Sequence, residues 1–338
     1  MIEVGLEPKP KAVVTEPREP EHYLVLGDFG GHAAEPLEIN LANFDDVLSR
    51  FDVNLAGVRI RELKDLHPDR LYERLEIFHG PQVEPSEVTD DPFHQYMEEL
   101  ALAHSEPQPE EQMRALLHHP RFQEVEAAWR GLDFVVGRAD ATISHIHIAQ
   151  LPIDAVAAEL EGLLQSRKWR AVIGLYSFGS APADTALVAC IATFAVRAGV
   201  PFLAEGWKDM GPRWDELRSS PPAEYIGLAL PRFLLRPPYD PQSNPIDSFP
   251  FEEMPGPTIH SHYLWGNPAL ACLALLAGGN GKMELEDLPA PSVETYMSDA
   301  EVVDLMDRGL MPLVGFKDSH RLRLARFRAI NSAPLPFE

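Results

Sequence analysis

The sequence predicts an α/β fold, in which a small N-terminal αβ domain is joined to a larger α/β domain. A chain of 338 residues is long enough for two hydrophobic cores. Its hydrophobic share of 45% is ordinary for a globular protein, so both domains can fold. Beyond residue 140, short apolar runs alternate with stretches of helical periodicity, as in α/β domains. The expected division is a flexible or extended arm over 1–21, a small domain over 22–79, a linker over 80–92 and a larger domain over 93–338.

The small domain is predicted from short strand and helix patterns between turn residues. Its first strand ends at the segment from Gly27 to Gly31. No Lys-Ser or Lys-Thr follows these glycines, so they indicate a tight turn rather than a phosphate loop. Asn43 is the expected cap of the first helix. The predicted elements are strands over 23–26, 37–41 and 53–63 and helices over 44–51 and 70–78.

Two Pro- and acid-rich segments are predicted to lie outside the domains. Residues 1–20 have few large apolar side chains, which predicts a disordered tail or an arm that orders on a partner's sheet edge. Residues 80–92 have the composition of a linker. A further polar break over 105–111 separates a predicted helix over 94–103 from the next helical stretch.

The larger domain is predicted from buried-strand patterns that alternate with helices. The predicted elements are strands over 141–151, 171–176, 201–204 and 225–230 and helices over 154–167, 185–198 and 264–277.

The most informative stretch of the chain is 119–136. Phe122, Trp129 and the apolar residues between them recur at helical spacing and form one stripe. Pro120 lies where a first-turn proline is tolerated, and Gly131 lies near the far end. The stretch therefore predicts an amphipathic helix that packs a large Trp, with Arg130 beside it, onto a core.

Charge and composition exclude several classes of function. The net charge of −23 argues against nucleic acid, because a phosphate-binding surface needs clustered Lys and Arg. The basic residues of 317–328 are the one segregated exception. No run of eighteen apolar residues and no signal peptide is found, so we expect a cytoplasmic protein without membrane insertion. The two cysteines, Cys190 and Cys272, lie in apolar runs and are expected to be buried free thiols.

No motif of a catalytic or metal site is complete. The segment around Ser177 lacks the first glycine of a nucleophile elbow. His145 and His147 share a strand face without further ligands at metal-binding spacing, so a solvated face is expected. His260 and His262 lie in a polar loop. We therefore expect no catalytic residue, no metal and no cofactor.

Two pairs of neighbouring carboxylates and two arginines are the remaining candidates for a site. The neighbouring pairs Asp45-Asp46 and Glu252-Glu253 point in different directions on a helix, and first-turn charge explains the former pair. Arg232 and Arg236 flank an apolar stretch. They are either solvated at a strand end, or one is buried against carboxylates at a domain or subunit contact.

The stretch 119–136 closely resembles a signature of the large subunit of the type VI secretion contractile sheath. The matching residues are His119, Pro120, Phe122, Glu126, Trp129, Arg130, Gly131 and Leu132. Further resemblance to that subunit lies at 171–174, 201–202, 225–228, 230–236, 251–253, 263–269 and 309–314. Three motifs at 26–31, 43–48 and 63–69 resemble the small subunit of the same sheath in their order and spacing.

The resemblance implies a structural, non-enzymatic protein in which both sheath subunits are fused. Expected partners are contractile sheath subunits or copies of the chain, and baseplate or tube-end proteins. Connecting segments of both family subunits are shortened or absent, so we expect a component that docks on or terminates a sheath. The residues expected to carry structure or interfaces are Phe44, His67, Pro68, Phe122, Trp129, Arg130, Gly131, Arg232, Phe233, Arg236, Trp265, Gly266, Asn267 and Pro268.

Two alternatives remain open at this stage. One is a regulator that binds sheath subunits and blocks their assembly. The other is an acidic α/β enzyme whose likeness is architectural, with a ligand at the strand ends in a pocket lined by Arg232, His260 and His262.

Overall fold

The computed structural model describes residues 19–33, 35–55, 57–79, 92–102, 108–317 and 319–337. These residues form a nine-stranded sheet with helices on both faces, which confirms the predicted α/β class. The strands are β1 (Glu21–Gly27), β2 (Leu37–Ile39), β3 (Val53–Leu55), β4 (Val58–Ile60), β5 (Ser144–Gln150), β6 (Ala171–Phe178), β7 (Phe202–Gly206), β8 (Ile226–Leu230), β9 (Phe233–Leu234), β10 (Trp265–Gly266), β11 (Glu284–Leu285), β12 (Leu310–Gly315) and β13 (Leu322–Leu324). The helices are α1 (Phe44–Arg50), α2 (Pro68–Arg74), α3 (Pro92–Leu102), α4 (Pro109–Leu117), α5 (Pro120–Val136), α6 (Val156–Gln165), α7 (Pro182–Ala198), α8 (Trp214–Arg218), α9 (Pro268–Ala277) and α10 (Asp299–Asp307).

The large sheet is parallel at its centre. Its strand order is β11-β13-β12-β8-β7-β6-β1-β5-β2, and the strands from β12 to β5 all run in one direction. The short outer strands β2 and β13 pair antiparallel with their neighbours. In chain order, β1, β5, β6, β7 and β8 follow the doubly wound 2-1-3-4-5 arrangement, whose crevice opens at the carboxyl ends of β1 and β6.

Strand β1 is central to the sheet and buried on both faces. Tyr23 and Val25 belong to the core on one side, and Leu24 and Leu26 to the core on the other. This arrangement follows from strand geometry, because successive side chains point to opposite faces and every position of a covered parallel strand must be apolar.

The position of β1 corrects the predicted division into two domains. The strand pairs with β5 on one side and with β6 on the other, so the sheet of the larger domain includes the first strand of the predicted 22–79 domain. The physical reason is that a strand with two apolar faces needs a partner on each edge and cover on each face. Most of the predicted linker lies outside the described residues, as do residues 1–18.

Local predictions also needed correction. The predicted strand over 53–63 is a hairpin of β3 and β4 that forms its own two-stranded sheet. Asn43 precedes α1, but its side chain makes no cap hydrogen bond with the helix. Its amide oxygen instead accepts the backbone N–H of Asn40, at 2.7 Å, and ties the turn before the helix. The predicted helix over 70–78 begins earlier, at Pro68, and ends at Arg74 before a short 3-10 turn.

Several elements were absent from the predictions. Helix α4 occupies part of the predicted polar break, and α8, α10, β11 and β13 were not predicted. In the part of the chain that the structure describes, no helix combines the length and apolar character that a bilayer crossing requires. Both cysteines are free, with Cys272 buried and Cys190 half-buried.

Candidate functional site

Three helices that carry motif residues begin in the same way. Each has a polar cap followed by proline at the first helical position, and the cap accepts the backbone N–H two residues later. The caps are His67, His119 and Asn267, with acceptor distances of 3.3, 3.2 and 3.0 Å. Pro68, Pro120 and Pro268 are the prolines that follow them. The His-Pro and Asn-Pro motifs therefore start helices.

Trp129 on α5 is fully buried and connects this helix to the N-terminal part of the chain. Its indole N–H donates to the carbonyl oxygen of Phe29 at 2.9 Å. The rings of Phe29, Phe44 and Phe51 surround it with centroid distances of 5.6, 6.0 and 5.5 Å. Such tilted and edge-on contacts stabilise the core beyond what the burial of apolar ring area contributes. Aromatic residues from the N-terminal part of the chain therefore pack directly around α5.

Gly131 allows α5 to approach α9 closely. A methyl group at this position would lie 2.3 Å from Cδ1 of Leu270, so a larger residue cannot fit without movement. Phe122, elsewhere on the buried stripe of α5, is fully buried. Phe233 and Gly266 lie opposite each other in the two-stranded sheet of β9 and β10. These motif residues determine how the backbone elements pack.

A buried ion-pair network lies beside this core. The guanidinium of Arg236 donates to both carboxylate oxygens of Glu126, at 2.9 and 3.2 Å, and to both of Glu253, at 2.8 and 3.2 Å. Arg130 donates to Glu126 at 2.6 Å, and the backbone N–H of Tyr239 donates to Glu253 at 2.8 Å. The sequence left open whether one of Arg232 and Arg236 is buried against carboxylates, and Arg236 is the buried one.

Burial and charge act in opposite directions on this network. Burial disfavours ionisation of Glu126 and Glu253, but the charge of Arg236 lowers the pKa of both carboxyls, with help from Arg130 at Glu126 and from hydrogen bonds of His118 and Tyr239 at Glu253. The pKa of Glu253 falls to about 2. Burial also opposes the charge of Arg236, yet Glu126 and Glu253 raise the pKa of its guanidinium well above the ordinary value. All three groups are therefore charged at neutral pH, and each depends on the others.

Arg232 lies in a different place, in a crevice of about 830 Å³ at the carboxyl edge of the sheet. Asp28, Ser177 and Glu205, which lie at or just after the ends of β1, β6 and β7, also line it. Arg232 donates to Glu205 at 2.7 Å. Residues of α5, residues from 260–270 and Glu294 complete the lining, which includes the motif residues Trp265 and Asn267.

The crevice does not match the pocket that the enzyme alternative requires. Arg232 and His260 line it, but His262 lines a separate cavity of about 550 Å³ and stacks on His118 with ring centroids 3.8 Å apart. The prediction that Arg232, His260 and His262 line one pocket is therefore wrong for His262. The hydroxyl of Ser177 accepts the indole N–H of Trp207 at 2.5 Å. Among the described residues, no hydrogen bond between this hydroxyl and a histidine is found.

The predicted face of His145 and His147 is only partly solvated. His147 is 4% exposed, and its Nε2 lies 3.2 Å from Nδ1 of His22, while His145 lies 2.7 Å from a carboxylate oxygen of Glu38. Burial and the charge of Arg167 lower the pKa of His147 to about 4. Across the described ranges, no group of three or more His, Cys, Asp or Glu side chains is arranged to hold a metal ion.

The fold and the site define an α/β protein whose motif residues cap helices, pack aromatic rings and pair buried charges. Comparison with known families finds a family model that matches part of the chain. The family described as EvpB/VC_A0108, tail sheath N-terminal domain matches residues 102–170 and 208–279. These ranges include α5, Arg232, Arg236 and Trp265. Residues 102–170 and 208–279 are therefore similar to a tail sheath domain, and residues 19–79 lie outside the matched ranges.

One curated relative and one solved structure extend the comparison. The chain is 26% identical over 279 residues to the type VI secretion system sheath protein TssC1 of Pseudomonas aeruginosa, an alignment that covers 62% of this chain. It spans about half, 56%, of the length of that relative. A chain in the cryo-EM structure of the anti-feeding prophage baseplate aligns with all of this chain and 72% of its own length, at 10% identity and a TM-score of 0.44. A score this low does not define a shared fold. Both sequence similarities are to sheath proteins.

Proposed function

We propose that this protein is a structural, non-enzymatic component of a contractile sheath-like assembly, in which small- and large-subunit-like parts are fused. The observation that carries the proposal is the packing of Phe29, Phe44 and Phe51 around Trp129 of the signature helix. The position of β1 between β5 and β6 supports the same conclusion. Covalent fusion of two parts that share a sheet keeps them at equal stoichiometry.

The mode of action that we propose is docking on, or termination of, a sheath built from other subunits. The net charge of −23 opposes close packing of many identical copies. The assembly partners would be contractile sheath subunits, with baseplate or tube-end proteins as neighbours at a sheath end. This proposed role would be carried out in the cytoplasm.

A pull-down with a purified sheath heterodimer tests the proposal. The tagged chain is expected to retain the heterodimer at 0.15 M salt, and mass photometry is expected to show a complex of defined stoichiometry. An unrelated protein of similar size and net charge serves as the control for non-specific attraction. Complexes that form and at the same time prevent tube growth would identify a regulator, whereas no retention would contradict the proposal.

A further inference from the structure

The crevice at the carboxyl edge of the sheet has the position of a ligand site. It lies at the switch point between β1 and β6, where ligands of doubly wound sheets bind. Its volume of about 830 Å³ is within the range of binding clefts. The groups at its base determine which chemistry it accepts.

The charges of the crevice favour a cation over an anion. Asp28 is already engaged by both terminal nitrogens of Arg121, at 2.6 and 3.2 Å. Glu205, only 7% exposed, and Glu294 both lie beside Arg232, whose Nε donates to Glu205. The Arg232 guanidinium thus faces the carboxylates of Glu205 and Glu294, and Glu124 also lines the crevice, so the charge around Arg232 is net negative. A phosphate ligand would meet these carboxylates at the strand ends and be repelled.

Glu294 is the carboxylate with the weaker compensation. Its backbone N–H donates to the carbonyl oxygen of Arg232 at 2.9 Å, which fixes the residue beside the crevice. Burial raises the pKa of the Glu294 carboxyl, and the charge of Glu205 adds to this effect while Arg232 opposes it. A second cation placed between Glu205 and Glu294 would remove this imbalance.

The rim of the crevice carries exposed apolar side chains. Ile153, in the segment that follows β5, lines the crevice and is 44% exposed. Trp207, which is 55% exposed, donates its indole N–H to the hydroxyl of Ser177, and Ser177 lines the crevice. Tyr263 and Trp265 also line the crevice. Trp and Tyr are typical anchors of protein interfaces, and their ring faces attract cations.

We propose that this crevice binds an extended segment of a partner protein that carries an arginine or lysine, with the cation between Glu205 and Glu294. The apolar residues that flank this cation in the partner segment pack on Ile153 and Trp207. The acidic surface of the chain steers such a segment towards the crevice. The inference goes beyond the proposed function, because it specifies a surface and a ligand chemistry whichever assembly the chain joins.

Fluorescence anisotropy with a labelled peptide, Gly-Leu-Arg-Leu-Gly, tests the inference on the full chain. The matched probe Gly-Leu-Gln-Leu-Gly has the same shape without the charge and is expected to bind at least about tenfold more weakly, as for loss of one charged hydrogen bond. Glu294→Gln is expected to weaken binding of the Arg peptide by a similar factor. Arg232→Gln is expected to tighten it, because two carboxylates then lose their internal cation.

Control variants separate a defined site from general attraction. Glu159→Gln removes one negative charge from an exposed position on α6 and is expected to leave the affinity unchanged. Trp207→Ala is expected to weaken binding of both peptides. Circular dichroism and the urea midpoint show whether each variant is folded. Equal binding of the Arg and Gln peptides, or equal losses for Glu294→Gln and Glu159→Gln, would overturn the inference. Since no sheath subunit is present in this assay, its failure is distinct from failure of the proposed sheath role.

Discussion

Replacement of Arg236 by Met is the sharpest test of the buried network. The arginine makes four hydrogen bonds to Glu126 and Glu253, whose exposures are 0% and 1%. Removal of one partner of a buried pair leaves an uncompensated charge and costs about 3–5 kcal/mol. Arg130 still pairs with Glu126, and the N–H of Tyr239 still donates to Glu253. We therefore expect the loss to lie near the lower end of that range.

The measurement is urea unfolding followed by circular dichroism at pH 7. Arg213→Met is the matched control, because its ion pair with Glu216 is exposed and such pairs contribute about 0–1 kcal/mol. A second arm adds Glu253→Gln to Arg236→Met. If uncompensated charge is the cause, neutralising Glu253 restores part of the lost stability. A loss no larger than that of Arg213→Met, or a further loss in the double variant, would refute the reasoning.

Three further predictions concern packing, capping and pH. Gly131→Ala is expected to lower the free energy of unfolding by about 1–3 kcal/mol through overpacking against Leu270. Gly162→Ala, at a helical position with open space, should stabilise by about 0.5–1 kcal/mol, and equal urea midpoints for the two variants would contradict this. Asn267→Ala should cost about 1 kcal/mol in the same assay through loss of the cap, and an unchanged midpoint would exclude that role. Because burial lowers the pKa of His147 from 6.5 to about 4, the unfolded chain binds its proton first, so stability should be complete above pH 6.5 and fall towards pH 4. His147→Gln should flatten this dependence, and an unchanged profile would contradict the assignment.

The local features of the chain could be predicted from its sequence, because their causes lie within one or two turns. Helix α5 follows from the spacing of Phe122, Trp129 and their apolar neighbours, and its start follows from His119 and Pro120. The strand pattern of β1 was likewise visible in 23–26. Short elements such as α8 were missed, because five residues do not establish a period.

The long-range features could not be predicted in this way. Periodicity indicates that β1 is buried, but it does not indicate that β5 and β6 are its neighbours. Glu126 and Arg236 are 110 residues apart, and only the crossing of α5 with the segment after β9 brings them together. From the sequence, Arg236 could be either solvated at a strand end or buried against carboxylates. The packing of the core decides between these two alternatives.

Electron microscopy of the purified chain with a sheath heterodimer tests the central claim most directly. Negative-stain images of the chain alone, of the heterodimer alone and of their mixture would be compared at equal protein concentration. The account predicts density of the chain at sheath ends or along the sheath in the mixture, without long tubes of the chain alone. A monodisperse chain that leaves the sheath unchanged and undecorated would contradict the structural role.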